Sequence, residues 1–432
     1  KPMKKALIIC YYWPPAGVPG VQRWLKFVSH LKSFDIDPVV YVPQNPNYPI
    51  VDQDLVAQIP KEITVLKRPI KEPYKFAAIF SKKKTQQISS GIISNKKPSA
   101  LEKLLLYVRG NYFIPDARVG WVTPSVVFLK QYLKANPVDC IISSGPPHSL
   151  HLIGMELQKQ VHLPWIADFR DPWTTIHYHK SLLLTKASDA KHKALESLVL
   201  NSANHILVTS PSTAKEFSLL TTKPITVITN GFEPTKIDTP CLDIRFSIAH
   251  IGSLLTQRNP TYLWEVLSQI VKEDPIFAQD LEICLTGVVS DEVLSTIALA
   301  GLTNNTTIKG YVSHKEAVVL QHKAQVLLLL EQDSEDTKAI IPGKLFEYLQ
   351  AARPIIAIGP KGSDIEGIIN TTASGVYVSA HQKDVLKKQI LLYYNAYKKE
   401  ALFINSKNIE LFTRKALTKK LAGVIKSVIT AS

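Results

Sequence analysis

The chain has 432 residues, more than one hydrophobic core usually serves, so two domains are expected. At 45% apolar and 20% charged residues it has the composition of a globular protein, and no apolar stretch approaches the roughly 18 residues that span a bilayer. The net charge of +15 asks for an anionic partner, whether nucleic acid, an anionic membrane surface or a phosphorylated substrate.

Four dispersed cysteines, Cys10, Cys140, Cys241 and Cys284, form neither a disulfide framework nor a metal cluster. They read as buried thiols of a reducing compartment. The opening KPMKKALIICYYWPP has basic residues and an apolar run in the manner of a signal peptide. The run is short, ends in Pro-Pro and lacks a small-residue cleavage site, so a first strand is expected instead.

That strand, Lys5–Tyr12, leads into a Gly- and Pro-rich loop, Trp13–Gly20. A helix then runs from Val21 to Leu31, with Val21, Trp24, Leu25 and Val28 on one face, before a strand at Asp37–Val42. This is the opening of a doubly wound α/β domain, in which ligands bind at the carboxyl ends of the strands. The glycines do not spell GxGxxG, so a dinucleotide site is not indicated. Residues 68–123 differ in character. Lys82–Lys84 and Lys96–Lys97 flank a Ser-rich segment, and Leu101, Leu104, Leu105 and Val108 share a helical face against Lys103 and Arg109. A basic amphipathic helix of this kind either lies in a membrane interface or packs on the core with solvated lysines.

Val138–Ser144 is a further buried strand, followed by Pro146, Pro147 and a helix with His148 in its first turn and His151 one turn on. His148 is a candidate substrate contact or a packing histidine; two histidines alone do not make a metal site. In Pro164–Trp173 the charged residues Asp168, Arg170 and Asp171 crowd the end of a strand, followed by Trp173. Two carboxylates around a guanidinium at a strand end suit an α/β active site, or an internal ion pair that shapes the loop. A strand at His205–Ser210 and the turn Asn230-Gly231 close the first half, with a hinge expected near 232–245.

The second half repeats the scheme. Ser247–Pro260 gives strand, loop and helix start, with Gly252, Ser253 and Arg258 placed to suit a diphosphate. Leu281–Gly287 and Thr307–Val318 continue the alternation. Ala324–Leu330 and Pro354–Gly359 are short, solidly apolar runs of the kind buried on both faces of a sheet. Between them lies Ile341–Pro354, a helix with Leu345, Phe346, Leu349 and Ala352 on one stripe. Pro342 and Gly343 open it, and its free N–H groups with Lys344 make an anion site. Glu347, one turn in, could accept from a diol such as a ribose. The acidic run Glu331–Lys338 reads as a solvated surface loop and not as a metal-binding DxD. The closing helices are expected at Leu386–Tyr397 and, more basic, Phe412–Val428.

Gly343–Glu347, Gly252–Arg258, the loop after the first strand and the tandem layout together resemble retaining GT-B glycosyltransferases of family 4, over almost the whole chain. Glu347 matches the second glutamate of that family's E-x7-E pattern, while the first is Ala339, and Ser253 stands where a basic residue is usual. The resemblance implies an α/β fold of two Rossmann-like doubly wound domains facing across a cleft. The N-terminal acceptor domain would take 1–235, the donor domain 236–405, and a terminal helix, 406–432, would return to the N-domain. It further implies transfer of a sugar, with retention of configuration, from a nucleotide-sugar donor, UDP- or GDP-linked. The expected acceptor is a cell-surface glycan or a lipid-linked one, and no metal or other cofactor is expected. The residues the resemblance points to for the donor are Gly20, Arg23, Gly252, Ser253, Arg258, Tyr311, Val312, Gly343, Lys344, Leu345 and Glu347. Asp168, Arg170 and Asp171 are the expected catalytic group, and His148 and Trp173 the acceptor contacts. With Ala339 in place of glutamate, Ser334, Asp336 or Thr337 is expected at the donor sugar. A cytoplasmic protein is expected, with the basic amphipathic segment a candidate for contact with the inner face of the membrane. Two other readings remain: a nucleotide-sugar epimerase of the same architecture, and a non-catalytic sugar-nucleotide-binding protein. Nucleic acid is disfavoured, because the basic residues are scattered.

Overall fold

In the structure, a computed structural model, residues 3–72, 100–176, 179, 181–235, 240–379 and 381–431 are described. The lysine clusters at 82–84 and 96–97 lie outside them. The chain divides into two compact units; of the described residues, one takes in 3–72, 100–231 and 414–431, the other 232–413.

The first unit is built on seven strands: β1 (Lys4–Ile9), β2 (Ile36–Pro43), β3 (Thr64–Arg68), β4 (Cys140–Gly145), β5 (Trp165–Phe169), β6 (His205–Val208) and β7 (Ile225–Val227). Their order is β3-β2-β1-β4-β5-β6-β7, and every neighbouring pair is parallel. The chain builds outward from β1 to β3, then crosses to β4 and builds the other way. The loops after β1 and β4 therefore diverge and leave a crevice at the strand ends. Register brings the two sides level there, with Ile9 opposite Ser143 and Ser144 opposite Asp168. The helix Pro19–Leu31 starts with proline in its first turn and buries Val21, Trp24, Leu25 and Val28, as its spacing predicts. The last helix, Arg414–Ala431, starts two residues later and runs three further than its sequence pattern. It buries Leu417, Leu421 and Ile425 in this unit's core.

The second unit repeats the plan with β8 (Phe246–Ile251), β9 (Leu281–Thr286), β10 (Thr306–Lys309), β11 (Val326–Leu330), β12 (Ile355–Gly359) and β13 (Gly375–Ser379). Its order is β10-β9-β8-β11-β12-β13, again parallel throughout. The switch point falls between β8 and β11. Every residue of β11, Val-Leu-Leu-Leu-Leu, is buried, because helices cover both faces of the sheet. Two Rossmann-like domains are thus present. The cysteines are less uniform than expected: Cys10 and Cys140 are buried, Cys284 is half-buried, and Cys241 is exposed. Among the described residues, no helix is long and apolar enough to cross a membrane.

Candidate functional site

In the second unit the switch point gathers charge. Gly252 follows β8 at φ +129°, a conformation that side chains rarely adopt, and a Cβ there would lie 2.6 Å from Lys344 Nζ. The close approach of the ammonium to bare backbone thus depends on glycine. Lys344 sits in the first turn of the helix Gly343–Ala351, whose start has no side-chain cap, so its N–H groups face outward beside the ammonium. Burial depresses the Lys344 ammonium, Arg258 adds to this, and Glu331 and Glu347 oppose it; the result is a pKa of about 8.

Arg258 lies 3.7 Å from Glu331, whose side chain is almost completely buried and whose Oε1 has no partner. Burial raises the Glu331 carboxyl, against the pull of Arg258 and Lys344. This residue corrects the expectation of a fully solvated acidic loop: the run begins at the inner end of β11, where Glu331 N donates to Ile358 O.

Glu347 is held from both sides. His314 Nε2 lies 3.2 Å from its Oε1, and Gln321 Nε2 donates to its Oε2 at 2.8 Å. Burial would raise this carboxyl, but those two hydrogen bonds and the neighbouring charges keep it below the ordinary value, and so ionised. Beneath, the Ile251 N–H donates to Tyr348 Oη at 3.0 Å, tying the helix to the end of β8. The unit thereby brings Gly252, Arg258, Lys344 and Glu347 together at the helix start.

Other expected donor contacts lie differently. Leu345 is wholly in the core and its N–H goes to Pro342 O, so it supports the helix and offers a ligand nothing. Ser253 is exposed beside Gly252, Tyr311 is 87% exposed, and Val312 is half-buried. Thr337 Oγ1 donates to Gln332 O and Ser334 O and Ser334 Oγ accepts from Asp336 N, so Thr337 and Ser334 fold their own turn.

In the first unit, Asp168 at the end of β5 is fully buried. It accepts from Arg23 Nη2 at 2.8 Å, Trp24 Nε1 at 2.8 Å and Ser144 Oγ at 2.8 Å. Arg23 is 1% exposed and also donates to Ile228 O and Thr229 O. Burial alone would raise the Asp168 carboxyl; the Arg23 charge and these hydrogen bonds outweigh it and hold the group below the usual carboxylate range. Asp168 does form an internal ion pair, but its partner is Arg23 on the helix after β1 and not the neighbouring Arg170. Asp168 is therefore not placed to touch a reacting sugar, nor Arg23 a donor, because protein groups enclose both.

Arg170 and Asp171, two and three residues on, do reach the surface. With Gly20, His148 and Trp173 they line a pocket of about 470 Å³ at the ends of β1, β4 and β5. A Cβ on Gly20 would overlap the Arg170 guanidinium, so glycine at this point makes room for the arginine. Arg170 lies over the Tyr12 ring and donates to Pro146 O. Trp173 is 2% exposed: His148 stacks on it at 4.7 Å, and its Nε1 donates to His192 Nδ1. It forms the pocket's back wall and is not an open contact. His148 is buried with neither ring nitrogen partnered, and burial, then His151 and Arg170, hold it neutral, well below the ordinary histidine value.

Sequence reasoning missed several lining residues, including Tyr12, Arg109, Asp116, Arg118 and His179. Arg109 carried a signal, in that it sits on the polar side of a helix predicted to be amphipathic. Arg118 and Asp116 carried none, since they lie in an unpatterned connection. Among the described residues, no group of three or more His, Cys, Asp or Glu side chains could hold a metal ion.

Known structures share this fold. Sucrose-phosphate synthase from Thermosynechococcus elongatus superimposes with a TM-score of 0.59 at 12% identity, covering 99% of this chain and 100% of that one. Both glycosyltransferases of the GT-B fold and nucleotide-sugar epimerases are among the structures that share it. The lipopolysaccharide outer core galactosyltransferase WaaB gives 0.58 at 14% identity, over 98% and 99% of the two chains. A putative UDP-N-acetylglucosamine 2-epimerase from Listeria monocytogenes gives 0.54 at 9% identity, over 100% and 98%. No family profile matches the sequence, and no curated protein matches it by sequence comparison.

Proposed function

We propose that the chain is a glycosyltransferase whose second unit binds a nucleotide-diphosphate sugar and whose first unit binds the acceptor. The observation that carries this reading is the Gly252–Lys344–Glu347 arrangement: an ammonium held against bare backbone at an open helix start, one turn from a carboxylate kept ionised. A diphosphate suits the first part and a ribose diol the second. Lys344 and Arg258 take up the charge that develops on the leaving diphosphate, a role that needs neither a metal nor a covalent nucleophile. Ser253 adds a hydroxyl beside the phosphates, and Tyr311 and Val312 offer backbone groups to the base, UDP or GDP.

On the acceptor side, Arg170, Asp171 and His148 face the pocket. Arg23 and Asp168 act beneath it as positioning residues, fixing the ends of β4 and β5 from which those groups project. The reaction proceeds with retention of configuration, and the acceptor is a cell-surface glycan or its lipid-linked precursor. Leu101 and Leu104 are exposed on the helix Ala100–Tyr112, which also carries Lys103 and Arg109. That face suits contact with an anionic membrane surface from the cytoplasmic side.

The test is incubation with a panel of UDP- and GDP-sugars, following nucleotide release with and without cell-envelope glycolipid. Absence of binding and release with every donor sinks the transferase reading. Because an epimerase shares the fold, the sugar is followed as well. Donor isomerised without acceptor assigns the site to that chemistry instead.

A further inference from the structure

We infer that the pocket of the first unit recognises an anionic group, a phosphate or carboxylate, on the sugar that accepts transfer. The inference rests on the glycosyltransferase reading and names the acceptor class that this reading leaves open. Three guanidinium groups line the pocket. Arg118 is paired with Glu72 at 2.9 Å, yet its buried Nε has no partner. Among the described residues, no carboxylate lies within ion-pair distance of Arg109 or Arg170. The Arg170 Nε is likewise buried and unpartnered. Asp116, on the same wall, is engaged by the Ser149 N–H and Oγ at the start of the helix Ser149–Val161.

His148 supplies an independent sign. It is 6% exposed, lines the pocket beside that helix start, and leaves both ring nitrogens without a hydrogen bond. A buried polar ring is retained unpaired at a cost unless a ligand completes it. A neutral imidazole can donate to an anionic oxygen from one nitrogen and accept a sugar hydroxyl at the other. Guanidinium groups match the fork of a phosphate or carboxylate. Stacking on Tyr12 keeps Arg170 in place, and Gly20 leaves the space that it fills. An uncharged glycan would cover Arg170 without supplying the counter-charge that it lacks.

The test is calorimetric titration of the full chain with a neutral methyl hexoside, a hexose 6-phosphate, a hexuronate and inorganic phosphate. The charged sugars are expected to bind at least about tenfold more tightly than the neutral one, and more tightly than inorganic phosphate. Arg170→Gln and the surface variant Arg109→Gln should each erase most of that difference, leaving UDP or GDP binding to the second unit unchanged. Gly20→Ala, which displaces Arg170 without removing charge, should do the same. Equal affinity for charged and neutral sugars overturns the inference. So does indifference to all three variants, or inorganic phosphate binding as tightly as the hexose phosphate. Failure of the glycosyltransferase reading is visible separately, as absence of nucleotide-sugar binding while anionic sugars still bind. A hexose phosphodiester bearing a short alkyl chain distinguishes the source of the anion. Tighter binding than the free hexose phosphate assigns it to a lipid-linked acceptor, and equal binding to a soluble one; either supports the anion subsite.

Discussion

Arg23 and Asp168, separated by 145 positions in the chain, form a buried ion pair at 2.8 Å that joins the helix after β1 to the end of β5. Neither is exposed, and Trp24, Ser144 and two backbone carbonyls complete their hydrogen bonds. Removing one partner strands the other charge in the core, so Asp168→Asn should cost about 3–5 kcal/mol in urea unfolding. Replacing both, Arg23→Met with Asp168→Leu, should recover a substantial part of that loss. The Asp168 carboxyl is depressed in the folded state, so its stabilisation is present above the ordinary carboxylate pKa and disappears as pH falls through the folded value. Asp168→Asn should therefore flatten the acid limb of the stability profile. A cost under about 1 kcal/mol would remove the pair from any positioning role.

How far the sequence reaches is clear from these two residues. The strand–helix alternation was legible because short apolar runs and helical stripes are local. So was the charged cluster of the second unit, since Gly343, Lys344 and Glu347 lie within one helical turn or so of each other. The partnership of Arg23 with Asp168 was not legible, because it depends on β4 pairing in register with β1 on one side and β5 on the other, a long-range event. The same holds for the pocket. Arg118 and Tyr12 both line it because of the way the chain folds, not through spacing along the chain. The burial of Glu331 was hidden for another reason: it is the first residue of an acidic run, and only the end of β11 separates it from its exposed neighbours.

Glu347 makes a second prediction. Its two oxygens are held by His314 and Gln321, so Glu347→Ala should weaken nucleotide-sugar binding about 10- to 100-fold, the range for losing hydrogen bonds to a charged group. Gln321→Ala should weaken it less, since the carboxylate remains but loses its orientation. His314→Ala should have the smallest effect, because that contact is largely open to solvent. Titration with UDP and GDP measures all three. Unchanged affinity in Glu347→Ala would remove the ribose assignment.

Gly252 is required twice over, by its φ of +129° and by the 2.6 Å approach of Lys344 to the Cβ position. Gly252→Ala should cost about 1–3 kcal/mol of stability from backbone strain alone. It should also push the ammonium away and lower donor affinity by more than Ser253→Ala does. Chemical unfolding and nucleotide titration on the same samples separate the two effects. If affinity falls only in proportion to stability, the Lys344 contact carries no binding role.

Lys344 sets a pH dependence with a definite sign. In the empty site, burial and Arg258 bring its pKa down to about 8, so the ammonium is lost on modest alkalinisation. A bound diphosphate favours the charged form, and donor affinity should therefore fall as pH rises through about 8, by up to roughly tenfold per pH unit. Stability should move the opposite way. The unfolded chain binds a proton here that the folded chain has released, so this site favours folding increasingly as pH rises from about 8 towards the ordinary lysine value. Lys344→Arg keeps its charge throughout this range and should abolish the break near pH 8 while retaining part of the affinity. Nucleotide titrations of wild type and Lys344→Arg from about pH 6.5 to about 9.5 measure the two profiles. An identical break in wild type and Lys344→Arg would assign the titration to another group and detach Lys344 from the diphosphate.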